Sequence, residues 1–97
     1  MTIGLSYDTS PDQLDAFTAE VKKTIRETTG LTEAHYVFFE SFGDSSLNVL
    51  LQCFADTTEF AVYMELKEKL MLDVMRVVER QGLEIAFPTQ TLYLKKD

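Results

Sequence analysis

Phe42-Gly43-Asp44-Ser45-Ser46-Leu47 decides how this chain folds, because it parts two strand-like runs with a break too short for a helix. Upstream, Ala34 to Phe42 is dense in Tyr36, Val37, Phe38 and Phe39, side chains that suit a pleated, half-buried surface. Downstream, Ser46 to Phe54 puts Leu47, Val49, Leu51 and Cys53 on one face. Leu50 and Phe54 fall on the other, so that face is not fully polar. A turn at Gly43-Asp44 makes the pair an antiparallel hairpin.

Each side of the hairpin repeats one pattern. Before it, Ile3, Leu5 and Tyr7 alternate with Gly4, Ser6 and Asp8, which predicts a first strand over Thr2 to Tyr7. A helix follows, with Ser10 as N-cap, Pro11 at the first helical position and Gln13 as capping-box partner. Leu14, Phe17, Val21 and Ile25 form its apolar stripe. Asp12 and Asp15 lie early and Lys22, Lys23 and Arg26 late, matching the helix dipole. Gly30 is the expected stop. After the hairpin, a second helix is expected from Asp56-Thr57-Thr58-Glu59 to Arg80, stopping at Gly82, with Phe60, Tyr63, Leu66, Leu70, Val74 and Val77 buried. Leu83 to Phe87 predicts a fourth strand. The order strand, helix, strand, strand, helix, strand predicts an α+β, ferredoxin-like βαββαβ fold, an antiparallel sheet with both helices on one face.

The end of the chain is Ala86-Phe87-Pro88-Thr89-Gln90-Thr91-Leu92-Tyr93-Leu94, then Lys95-Lys96-Asp97. Proline cannot donate to a ladder, so Pro88 marks an edge or a change of direction. Two readings stand level on residue chemistry. The segment is a last strand tucked into its own sheet, or an arm whose Leu92, Tyr93 and Leu94 need cover from another copy.

With the opening Ile3-Gly4-Leu5-Ser6-Tyr7-Asp8 and Met64-Glu65-Leu66-Lys67-Glu68-Lys69-Leu70, the hairpin turn and the tail resemble, in order, the C-terminal cytoplasmic domain of the small-conductance mechanosensitive ion channel (MscS) family. Ala86 departs from the pattern, since some members carry a second proline there. The resemblance implies a domain over residues 1–87 and an oligomerisation arm over 88–97. It implies a homo-heptamer in the intact channel, with this domain helping to build a vestibule on the cytoplasmic face of the cell membrane. The arms, Pro88, Thr89, Gln90, Thr91, Leu92, Tyr93 and Leu94 in each copy, would close that vestibule as a small barrel. Family members carry membrane helices and a β-rich domain ahead of this region. Neither stands in this sequence, so it reads as an excised domain with Met1 as an added start. By itself it is expected to be a monomer or weak oligomer.

Composition agrees. A length of 97 residues fits one small domain, and 45% hydrophobic content fits a packed one. A net charge of −7, from 16 acidic and 9 basic residues, argues against nucleic acid and anionic membrane surfaces as partners. No apolar run approaches the ~20 residues that span a bilayer. Thr2 to Tyr7 lacks the basic leader and length of a signal peptide. Cys53 is the single cysteine, so no internal disulfide forms. It reads as a small buried hydrophobe. His35 is the single histidine and reads as a surface residue, with no metal-spaced partner. In Gly43, Asp44, Ser45 and Ser46, the polar side chains read as turn closure rather than a nucleophile. The scattered glycines form no phosphate loop. No cofactor, metal or catalytic residue is expected.

Fold alone does not give function. An RNA-recognition motif needs bases and stacking aromatics on its third strand, and Ser46 to Phe54 has no base. An acylphosphatase-like enzyme needs an anion-binding loop after the first strand, where this chain has Asp8-Thr9-Ser10. The remaining alternative to a channel domain is a small-molecule-binding or regulatory ferredoxin-like dimer, or a dimeric ferredoxin-like enzyme. Its shared pocket would be lined by Phe39, Leu50, Phe54 and the tail.

Overall fold

A computed structural model describes residues 1–86. The elements are β1 (Thr2–Leu5), α1 (Pro11–Glu27), β2 (Leu31–Phe42), β3 (Leu47–Ala55) and α2 (Phe60–Arg80). The sheet is antiparallel in the order β1-β3-β2. Register pairs Ile3 with Val49, Val37 with Leu51 and Phe39 with Val49. Ile3, Val37, Val49 and Leu51 and the inner stripes of both helices form one core, so both helices cover the same sheet face. Phe17, Leu5, Ile25 and Leu51 are its largest fully buried members.

Helix α1 forms as its sequence dictates. The Ser10 hydroxyl accepts from the Gln13 amide at 3.1 Å, and the Gln13 side-chain oxygen accepts from the Ser10 amide at 2.7 Å. Leu14, Phe17, Val21 and Ile25 are all buried. The helix ends at Glu27, before the expected stop, and Gly30 at φ 101° turns the chain into β2. Helix α2 ends in a Schellman motif. The Gly82 amide bonds the Glu79 carbonyl at 3.1 Å and the Leu83 amide bonds the Val78 carbonyl at 2.9 Å. Gly82 takes the φ of 69° this requires, and Leu83 packs into the core behind it.

Four expectations need correction. The first strand stops at Leu5, and Tyr7 turns outward and is exposed. Helix α2 begins at Phe60, after the expected start at Asp56-Thr57-Thr58-Glu59; of Asp56 and the threonines, Thr57 supplies a local bond, its hydroxyl accepting from the Glu59 amide at 3.1 Å, and Glu59 is the N-cap residue without a side-chain cap. The α2 stripe begins late: Phe60 is 75% exposed, Tyr63 is exposed and Leu66 is half-buried, while Val78 joins Leu70, Val74 and Val77 inside. Tyr63 and Leu66 line a hollow of about 380 Å3 with Leu31, Leu51, Cys53 and Ala55, so the first turns of α2 stand beside the sheet without closing on it. Finally, among the described residues the fourth strand is one bridge, Leu5 with Ile85. Two backbone bonds hold it, Ser6 amide to Glu84 carbonyl and Ala86 amide to Gly4 carbonyl, both 2.9 Å. The bridge lies on the free edge of β1, where the fourth strand of a ferredoxin-like sheet belongs.

Candidate functional site

The hairpin loop is a latch. The Gly43 amide bonds the Ser46 carbonyl at 2.6 Å, closing the turn between β2 and β3. Ser46 Oγ donates to Asn48 Oδ1 at 2.7 Å, and Asn48 Nδ2 donates to Ser41 Oγ at 3.3 Å. The Tyr7 hydroxyl donates to the Gly43 carbonyl and ties the loop to the end of β1. A Cβ at Gly43 would lie 2.9 Å from Asn48 Nδ2 and 3.1 Å from the Ser46 carbonyl, so the loop closes only around a bare backbone. Asp44 and Ser45 are exposed at its tip. The tail residues Pro88, Thr89, Gln90, Thr91, Leu92, Tyr93 and Leu94 lie outside the described residues, as does Phe87 at the end of the expected fourth strand.

The structure brings His35 and Cys53 together as cross-strand partners, a pairing that 17 intervening positions conceal in the sequence. The His35 Nδ1 donates to the Glu33 carbonyl at 2.9 Å. Burial pushes the Cys53 thiol above its ordinary pKa, with the nearby N-terminal amine offsetting it in part. A half-buried, protonated thiol is a poor nucleophile and a poor ligand. Among the described residues no group of three or more His, Cys, Asp or Glu side chains could hold a metal ion.

What the surface does carry is apolar area. On the open face of the sheet, Phe38 is 55% exposed opposite Leu50, and Tyr36 and Phe54 are exposed nearby. At the β2 edge, Phe42 is 74% exposed and meets Phe39 edge to face at 5.2 Å between ring centroids. Sequence reading singled out Phe39, Leu50 and Phe54 but missed the outer methionines of α2, because a helical wheel alone does not say which flank finds a neighbour.

The family model for the C-terminal region of the mechanosensitive ion channel MscS matches residues 1–85. The chain belongs to the MscS family. An uncharacterized MscS-family protein of Aquifex aeolicus is 38% identical over 96 residues, 97% of this chain and 26% of its own length. The small-conductance mechanosensitive channel MscMJ of Methanocaldococcus jannaschii is 32% identical over 97 residues, 100% of this chain and 28% of its own. The low conductance mechanosensitive channel YnaI of Escherichia coli is 30% identical over 95 residues, with 96% and 27% covered. This MscS-family domain therefore spans about a quarter of the length of these relatives. The cryo-EM structure of AtMSL1 shares its fold, with a TM-score of 0.75 at 16% identity over 90% of this chain and 31% of that one. Among the described residues no helix is long and apolar enough to cross a membrane.

Proposed function

We propose that this domain is part of the cytoplasmic vestibule of a mechanosensitive channel. It helps subunits assemble, as a heptamer, and filters solutes beneath the pore without catalysing a reaction. The match of the MscS C-terminal family over residues 1–85 carries this reading. Residues 1–87 would be the folded unit and 88–97 the arm. An isolated arm leaves its backbone groups unpaired, and a barrel of arms has no free edge. Turn residues Gly43, Asp44, Ser45 and Ser46 would hold the hairpin in shape rather than touch a ligand.

Deleting residues from Pro88 onward tests the division. The shortened chain should keep its circular dichroism spectrum and melt within a few degrees of the parent. In the full-length channel the same deletion should weaken subunit association, read by native mass spectrometry. If the shortened chain unfolds, the tail is part of the sheet and the arm reading is wrong. If it folds and association is unchanged, the ferredoxin-like dimer with a shared pocket takes its place.

A further inference from the structure

The hollow that the first turns of α2 leave open has a one-sided chemistry. Its sheet side is Leu31, Leu51 and Cys53, and its helix side includes Leu70 with Tyr63 and Lys67. Tyr63 and Lys67 are four residues apart, so a phenol hydroxyl and an ammonium lie one helical turn from each other on the same side of α2. Among the described residues Lys67 is the one charged side chain on this wall, and it is in no ion pair. The sheet side is poorly solvated, since burial pushes the Cys53 thiol above its ordinary pKa.

Other charged hollows are already balanced. In the cleft between α1 and α2, Lys69 and Arg76 share Asp73, and Arg80 pairs with Glu20. The groove beside α1 holds Asp12 and Asp15 as well as Lys22. Beside the start of α2, an apolar wall meets a single unbalanced cation. Apolar lining with a few placed polar groups is the usual make-up of a small-molecule site, and about 380 Å3 suits a small ligand.

We propose that this hollow binds a short aliphatic carboxylate, with its chain against Leu31, Leu51 and Leu70 and its head on the Lys67 ammonium beside the Tyr63 hydroxyl. Apolar burial drives the chain inward, and the charged head stays at the exposed mouth. One ammonium balances one negative charge. The net charge of −7 penalises a doubly charged head such as a phosphate monoester, which selects the carboxylate. The site is complete within one copy and rests neither on the arm nor on assembly.

Octanoate titrated into the chain and followed by NMR tests it. The methyl signals of Leu31, Leu51 and Leu70 should shift and saturate, and alkylation of Cys53 by iodoacetamide should slow in proportion to the sites filled. Octanol, which lacks the charge, should bind about tenfold more weakly, and so should octanoate to Lys67→Gln. Ala55→Leu, at a half-buried position on the same wall, fills the hollow and should abolish binding without lowering the melting temperature. The N-terminal amine also lies close by, on the Leu51 carbonyl at 3.0 Å, so an N-acetylated chain should bind octanoate as the parent does. Loss of binding on acetylation, with Lys67→Gln unaffected, would give the head to the amine and overturn the role of Lys67. Equal affinity for octanoate and octanol would overturn the carboxylate class. No saturable shift at the three leucines would overturn the site.

Discussion

Phe17 and Phe60 show how position decides what a residue is worth. Phe17 is fully buried under the sheet, so Phe17→Ala should cost about 3–5 kcal/mol in urea unfolding. Phe60 is exposed at the start of α2, so Phe60→Ala should stay within about 0.5 kcal/mol. A large loss at Phe60 would mean that its side chain has cover in the free chain. Cys53 adds a chemical check. With its thiol pushed up by burial, it should react with a disulfide reagent at neutral pH far more slowly than after urea unfolding. Equal rates would contradict the half-buried site.

At the scale of elements, the start of α1 and the glycine stop of α2 were the most legible features. Ser10, Pro11 and Gln13 spell a capping box because its bonds are local, and Ser10→Ala should cost about 1 kcal/mol, read as a shift in the urea midpoint. On α2, the Asp73 carboxyl is held below the ordinary carboxylate range, first by its hydrogen bond from Lys69 at 2.7 Å and then by Arg76 at 2.7 Å. A lowered folded-state pKa means the stabilisation is complete above the ordinary carboxylate value and fades as pH falls through the folded one. Both cations are exposed, so the effect is about 0.2–1 kcal/mol at neutral pH. The stability gap between the protein and Asp73→Asn should therefore close in strong acid. A gap that persists there would point to packing, not charge. The buried extent of α2 was not legible, since periodicity marks a face and cannot say which of its turns close on the sheet.

For the whole molecule, the sheet is firm at β3 and thin at its far edge. Strand β3 is paired on both sides, whereas Ile85 and its neighbours hold on by one bridge and two bonds. Amide exchange should leave Val49 and Leu51 among the best protected sites and Ala86 well below them. Protection at Ala86 equal to that of β3 would show a full fourth strand. Local and periodic signals sufficed for much of this protein: the antiparallel hairpin around Gly43, the capped start of α1, the glycine stop at Gly82, the alternating core face of β3 and the MscS kinship. Each depends on bonds or spacings within a few residues, or on pieces in register along the chain. Tertiary structure alone decided the rest. It put Tyr7 outside and tied its hydroxyl to Gly43, set His35 beside Cys53, and left the first turns of α2 exposed. Those outcomes depend on how elements far apart in the chain come to lie against one another, a matter of position in space that no local pattern encodes.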